Sequence, residues 1–181
     1  AGLKLEGVKF GIFDENNKLV EELITDENGY AISGWLNYGD YILKELSTKE
    51  GYLLSDQEWK VEIRADQKTY TYKITNDVVK GSIQIVKIDS QNAEKPVEGA
   101  TFNIVAEDVF GIEAGTVVDT VTTDENGFAF TKELRYGKYF AQEISVGNDY
   151  WLNDKKYPIT ILEAGKVEVV HIKNEPVQMK L

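Results

Sequence analysis

The chain repeats itself, and that repeat limits what it can fold into. Leu5-Glu6-Gly7-Val8-Lys9-Phe10 returns as Val97-Glu98-Gly99-Ala100-Thr101-Phe102 at an offset of 92. Thr25-Asp26-Glu27-Asn28-Gly29-Tyr30 returns as Thr123-Asp124-Glu125-Asn126-Gly127-Phe128 at an offset of 98. The same offset relates Leu36-Asn37-Tyr38-Gly39-Asp40-Tyr41 to Leu134-Arg135-Tyr136-Gly137-Lys138-Tyr139, and Ile74-Thr75-Asn76 to Ile172-Lys173-Asn174. The second copy therefore carries six extra residues between Phe102 and Thr123, around Glu107–Gly111. A unit of roughly 80 to 95 residues is too long for a solenoid repeat and fits a small domain. The expected domains are 1–79 and 80–181.

Within each copy the pattern alternates with period two, as side chains on the two faces of a strand do. Copy one offers strands at 10–13, 19–24, 30–33, 39–46, 59–64 and 69–74. The Asp-Glu-Asn-Gly turns supply the positive φ that tight turns need. Ten Tyr, seven Phe and three Trp beside only three Pro suit such strands. No stretch reads as a long amphipathic helix. The expected fold is all-β, two tandem β-sandwiches.

Hydrophobic residues make up 42 % of the chain, enough to bury a core. A net charge of −11 argues against a nucleic-acid partner, which needs a basic face, and against attraction to anionic membranes. With no cysteine there is no disulfide, thiolate metal site or cysteine nucleophile. No apolar run reaches transmembrane length, so no membrane insertion is expected in this fragment. Nor is there a signal peptide or a sortase motif of the Leu-Pro-x-Thr-Gly type, so an exported parent would carry its targeting ends outside this stretch.

Three polar residues fall on the apolar parity of three strands. Lys87 shares a face with Ile83 and Ile85, Glu143 with Tyr139 and Ala141, and Asn174 with Val170 and Ile172. Copy one repeats two of them as Glu45 and Asn76. Burial disfavours the charged forms, lowering a lysine pKa and raising a glutamate pKa. A neutral lysine is a nucleophile, and a protonated Glu143 could donate to the Asn174 carbonyl and shuttle protons. Contact in a dry core adds proximity. The product would be a Lys–Asn isopeptide bond made once. The plainer alternative is a buried Lys–Glu pair with Asn as a hydrogen-bonding neighbour. In copy one the lysine position falls ahead of residue 1, because Lys87 lies twelve residues before Gly99; Lys4 aligns with Pro96 instead. That copy should form no bond of its own. Its gap should be filled by a neighbouring molecule or a loop, or else it should be the less stable half.

The ordered set Lys87-Ile-Asp89, Pro96-Val-Glu-Gly99-Ala-x-Phe102, Thr123-Asp-x-Asn-Gly127, Leu134-x-x-Gly137-x-Tyr139-x-x-x-Glu143 and Ile172-x-Asn174 resembles the Cna B-type (SpaA-type) domain of Gram-positive surface adhesins and pilins. The resemblance spans nearly the whole chain as two tandem copies. It implies transthyretin-like or inverse immunoglobulin-like sandwiches. It also implies a bond from Lys87 on a first strand to Asn174 near the end of the last, assisted by Glu143. Some members lack the bond. The family's proline before the Gly-Tyr element is absent from both copies, at Thr48–Tyr52 and Val146–Tyr150.

The implied role is a stalk or spacer at the cell surface, anchored to the wall through regions outside this chain. Its partners would be other domains of the same surface protein. A second reading is a binding module for a host extracellular protein or glycan, which an exposed aromatic cluster or a groove near the insertion would favour. A third is an accessory module of a hydrolase. A conventional enzyme is not expected, because no nucleophile–His–acid set exists and the parity of His171 points it to solvent. No cofactor or metal is implied. The acidic turns lack the spaced oxygens of an EF-hand loop, and Gly11 and Gly111 belong to no phosphate-binding pattern. Trp35, Trp59 and Trp151 read as core or edge packing, and the insertion as an interaction loop.

Overall fold

A computed structural model describes residues 2–181 and contains strands but no helix among them. It divides into two compact units, Ala1–Val78 and Val79–Leu181.

Unit 2 is a two-layer sandwich. Its strands are β5 (Lys80–Asp89), β6 (Thr101–Asp108), β7 (Val117–Thr122), β8 (Phe128–Phe130), β9 (Leu134–Arg135), β10 (Gly137–Ser145), β11 (Lys156–Ile161) and β12 (Val167–Asn174). One sheet runs β11-β10-β6-β7 and the other β12-β5-β8, with β9 pairing to β5. β5 is central in the second sheet because its alternation is the cleanest in the chain. Ile83, Ile85 and Lys87 are buried while Gln84, Val86 and Ile88 are half-buried. Ile83 and Ile85 meet Phe102, Ile104, Tyr139 and Ala141 from the facing sheet and Ile172 from β12 in one core. Each such aliphatic side chain contributes about 1.5–3 kcal/mol by leaving water. β12 pairs with β5 in parallel, with Ile172 opposite Lys87 and Asn174 opposite Asp89. The first and last strands of the unit therefore lie side by side.

Unit 1 has one sheet, β2-β1-β3-β4, from β1 (Lys9–Phe13), β2 (Leu19–Ile24), β3 (Gly39–Ser47) and β4 (Glu58–Ile63). Val8, Phe10, Ile12, Leu43 and Val61 form its buried core. The strands expected at 30–33 and 69–74 are absent. Their equivalents in unit 2 lie in β8 and β12, and both of those pair with β5. Unit 1 has no counterpart of β5 among its described residues. Without a central strand its two neighbours have no ladder to join. Tyr72 and Ile74 still rest against the core.

Two smaller expectations also change. Trp59 is half-buried on the unit 1 core, but Trp35 and Trp151 are 83 % and 61 % exposed, so neither is a core residue. Part of the insertion in copy two is structural. It extends β6 to Asp108 and sets Val109 into the core at 5 % exposure. The Asp-Glu-Asn-Gly segments are Asx turns: the Asp124 carboxylate accepts the amides of Asn126 and Phe128, and Asp26 accepts those of Asn28 and Tyr30.

Candidate functional site

Lys87, Glu143 and Asn174 converge inside unit 2. The three come from β5, β10 and β12 and are 0 %, 2 % and 1 % exposed. The parallel register brings the Lys87 side chain beside the end of β12, where Nζ donates to the Ile172 carbonyl at 3.3 Å. Nζ lies 3.9 Å from Glu143 Oε1. Asn174 Nδ2 donates to Glu143 Oε2 at 2.8 Å and to the Trp151 carbonyl at 2.6 Å. The Asn153 amide also donates to Oε2, at 2.7 Å.

These bonds fix the orientation of the amide and of the carboxyl. The Trp151 carbonyl can only accept, so the nitrogen of the Asn174 amide must face it. Glu143 Oε2 already accepts two N–H groups, so a proton on this carboxyl belongs on Oε1, toward Lys87. Glu143 Oε1 and Asn174 Oδ1 have no hydrogen-bond partner. The sequence-based expectation that Glu143 donates to the Asn174 carbonyl is therefore corrected. The carboxylate holds the amide nitrogen, which would be the leaving group of an acyl transfer, and leaves the carbonyl oxygen free. Burial pushes the Lys87 pKa down to about 8, against the opposing pull of Glu143. An unpaired charge here would be costly, and a neutral amine is the nucleophilic form.

Unit 1 holds the same acceptor half. Glu45 is 6 % exposed. Its Oε2 accepts from Asn76 Nδ2 at 2.7 Å and from the Ser55 amide at 2.6 Å, and Nδ2 also donates to the Leu53 carbonyl at 2.9 Å. Glu45 Oε1, the counterpart of the atom that faces Lys87, has no hydrogen bond. His171 is exposed, away from the site.

Sequence reasoning missed the contributions of Trp151 and Asn153. They act through a backbone carbonyl and a backbone amide, which leave no trace in side-chain parity. It also passed over Asp89, which shares the buried parity of Lys87 and could have been found by it. The Asp89 carboxylate accepts the amides of Gln91 and Asn92 and the Tyr150 hydroxyl. Those bonds, the Gln91 amide foremost, hold its pKa below the usual value and cap the turn that ends β5.

Comparison with known proteins places the chain in a family. The model of the SpaA prealbumin-like fold domain matches twice, over residues 1–78 and 81–176. The chain belongs to the SpaA family. A trypsin-resistant surface T6 protein of Streptococcus pyogenes serotype M6 is 42 % identical over 69 residues, covering 38 % of this chain and 12 % of that protein. The Bacillus anthracis TIE protein superposes with a TM-score of 0.83 at 29 % identity, covering 96 % of this chain and 32 % of that one. The C-terminal fragment of the pilus adhesin SpaC from Lactobacillus rhamnosus GG has the same fold, with a TM-score of 0.59 at 14 % identity over 98 % of this chain and 92 % of that fragment. The chain thus spans about a third of the TIE protein, and its 69 matched residues about an eighth of the T6 protein.

Proposed function

We propose that this chain is a load-bearing stalk segment of a cell-wall-anchored surface adhesin or pilin. Residues 80–181 form a domain closed by a Lys87–Asn174 isopeptide bond, and residues 1–79 form a second domain of the same kind whose described residues include no counterpart of β5. The observation that carries this reading is the convergence of an amine, a carboxyl and an amide in a dry core, with the amine pKa lowered by burial. Lys87, as the neutral amine, attacks the Asn174 side-chain carbon, and the attacking nitrogen passes its surplus proton to Glu143 Oε1, which faces it. The carboxyl then turns to hand that proton to Nδ2 as the C–N bond breaks, and the nitrogen leaves as ammonia. One amine and one amide become one secondary amide and one ammonia. Glu143 serves one turnover, so the chain is no enzyme in the ordinary sense.

The link would join the first and last strands, so pulling force crosses covalent bonds instead of ladder hydrogen bonds. By the chain-entropy account of crosslinks, it would stabilise the folded unit by about 4 kcal/mol. The names of the relatives, a trypsin-resistant surface protein and a pilus adhesin, support a location outside the cell and a need for such resistance. The binding-module reading draws less support. The exposed aromatics Tyr30, Trp35 and Tyr38 lie on the segment that lost its strand partner, so their exposure already has a cause.

The test is the intact mass of the purified, denatured chain. A loss of about 17 Da, one ammonia, that disappears in Lys87→Ala supports the bond. An unchanged mass would reduce the three residues to a buried polar cluster.

A further inference from the structure

We infer that Asn153 is a positioning residue for the crosslinking reaction, clamping the loop that aims both the Glu143 carboxyl and the Asn174 amide. This rests on the bond proposed above and concerns how fast it forms.

The loop from Tyr150 to Lys155 touches the site twice, through main-chain atoms alone. The Trp151 carbonyl takes Asn174 Nδ2, and the Asn153 amide takes Glu143 Oε2. Those two contacts decide which way the Asn174 amide faces and which carboxyl oxygen is free for the lysine proton. A loop that does this must itself be held. The Asn153 side chain supplies the hold, with both Nδ2 hydrogens used. One goes to the Tyr157 hydroxyl on β11 at 2.7 Å, the other to the Lys173 carbonyl on β12 at 2.9 Å, next to the reacting Asn174. Its Oδ1 accepts the Lys155 amide at 3.3 Å, closing the local turn. One side chain therefore ties the loop to the strand that carries the acyl group and to the strand beside β10, which carries the carboxyl.

Unit 1 supplies an internal control. Its loop makes the same two main-chain contacts, from the Leu53 carbonyl and the Ser55 amide. There Ser55 replaces Asn153 and Trp59 replaces Tyr157. Ser55 Oγ keeps the turn bond, accepting the Gln57 amide at 3.3 Å, but is too short to tie two strands, and Trp59 offers no hydroxyl. Clamp and acceptor are replaced together in the unit whose described residues include no lysine strand. The main-chain contacts to the Glu–Asn pair are common to both units, while the side-chain clamp is found in unit 2. A displacement of about 1 Å in such a site can slow a reaction by about a hundredfold.

The experiment follows ammonia loss with time. The full chain and its Asn153→Ala, Asn153→Ser and Tyr157→Phe variants are made by pulsed cell-free translation, and intact mass is read after the chase. Each variant is also made on a Lys87→Ala background, where its melting temperature reports structure without the bond. The expected result is slower loss of about 17 Da, by about tenfold to a hundredfold in Asn153→Ala, with Ser intermediate and Tyr157→Phe mildest. On the Lys87→Ala background the same changes should shift melting only slightly. Unchanged rates in folded Asn153→Ser and Tyr157→Phe would overturn the inference, as would slowing that merely tracks melting temperature. No mass loss in the parent chain would instead overturn the bond on which it rests.

Discussion

The two units share a repeat but not a fate. Unit 2 has β5, and around it stand β12, β8 and the short β9, a buried core and an assembled Lys–Glu–Asn site. Unit 1 keeps the opposite sheet, in which four strands match almost residue for residue, yet the layer that should cover it is not strand at all. Ile172 is 0 % exposed in unit 2 whereas its counterpart Ile74 is only partly buried, and Ala129 is buried where Ala31 is exposed. A central strand thus acts as more than one strand. It is the hydrogen-bonding partner of both its neighbours, and its absence removes the layer.

The deepest break in this comparison is Lys87→Ala, which should abolish ammonia loss in unit 2 and, with it, roughly 4 kcal/mol of crosslink stabilisation. Mass and thermal unfolding check it. If the crosslink is what separates the units, most of the excess stability of unit 2 should vanish. If that stability persists, packing around β5 carries the difference.

Hydrogen exchange should show the next largest contrast. The amides of β5 and β12 should be among the slowest, because they pair with each other in the core sheet. Residues 31–33, 35–38 and 69–76 should exchange close to the rate of unstructured chain. Equal protection of residues 69–76 and 167–174 in a monomer would show that something covers unit 1.

A matched pair of glycine substitutions sharpens the contrast further. Gly29 and Gly127 sit at the same turn with φ of +78° and +75°. A Cβ on Gly127 would run into the Lys87 carbonyl, and Pro96 Cβ stands 3.1 Å away; on Gly29 the nearest atom is Leu5 N at 3.4 Å. Gly29→Ala should cost about 1 kcal/mol from φ alone. Gly127→Ala should cost more, by unfolding measurements on each variant, because it also displaces the strand that carries the lysine.

A last contrast comes from pH. In Asn174→Ala, which cannot crosslink, Lys87 keeps a folded pKa near 8 against an ordinary value of 10.5. Between those values the unfolded state binds more protons, so stability should rise as pH climbs from 8 toward 10.5. In the parent chain the rate of ammonia loss should rise with the neutral amine and level off above about 8. A flat profile in both would mean that Lys87 does not titrate there.

Much of this was legible in the sequence. Period-two alternation located β5, and the parity of Lys87, Glu143 and Asn174 anticipated three buried polar side chains on three strands. The repeat located the acceptor half at Glu45 and Asn76. Propensity misled at 30–33 and 69–74, because alternation reports a face that could be buried but not whether a ladder partner exists. The orientation of the Asn174 amide was not legible either. It is set by the Trp151 carbonyl, and every residue has a carbonyl. Trp35 and Trp151 show the same limit, since a large apolar side chain is core only where the fold supplies a second layer.

The parallel register of β5 and β12 has a consequence for length. Once Lys87 and Asn174 are joined, residues 88–173 form a closed branch off the line of tension. Fully drawn out, that branch would add about 290 Å to the molecule. Sealed, it adds nothing, however often the domain is strained. A stalk of such units would transmit a tug almost at once and at nearly constant reach. An unsealed unit in the same line would act as its one extensible element, yielding first and lengthening most.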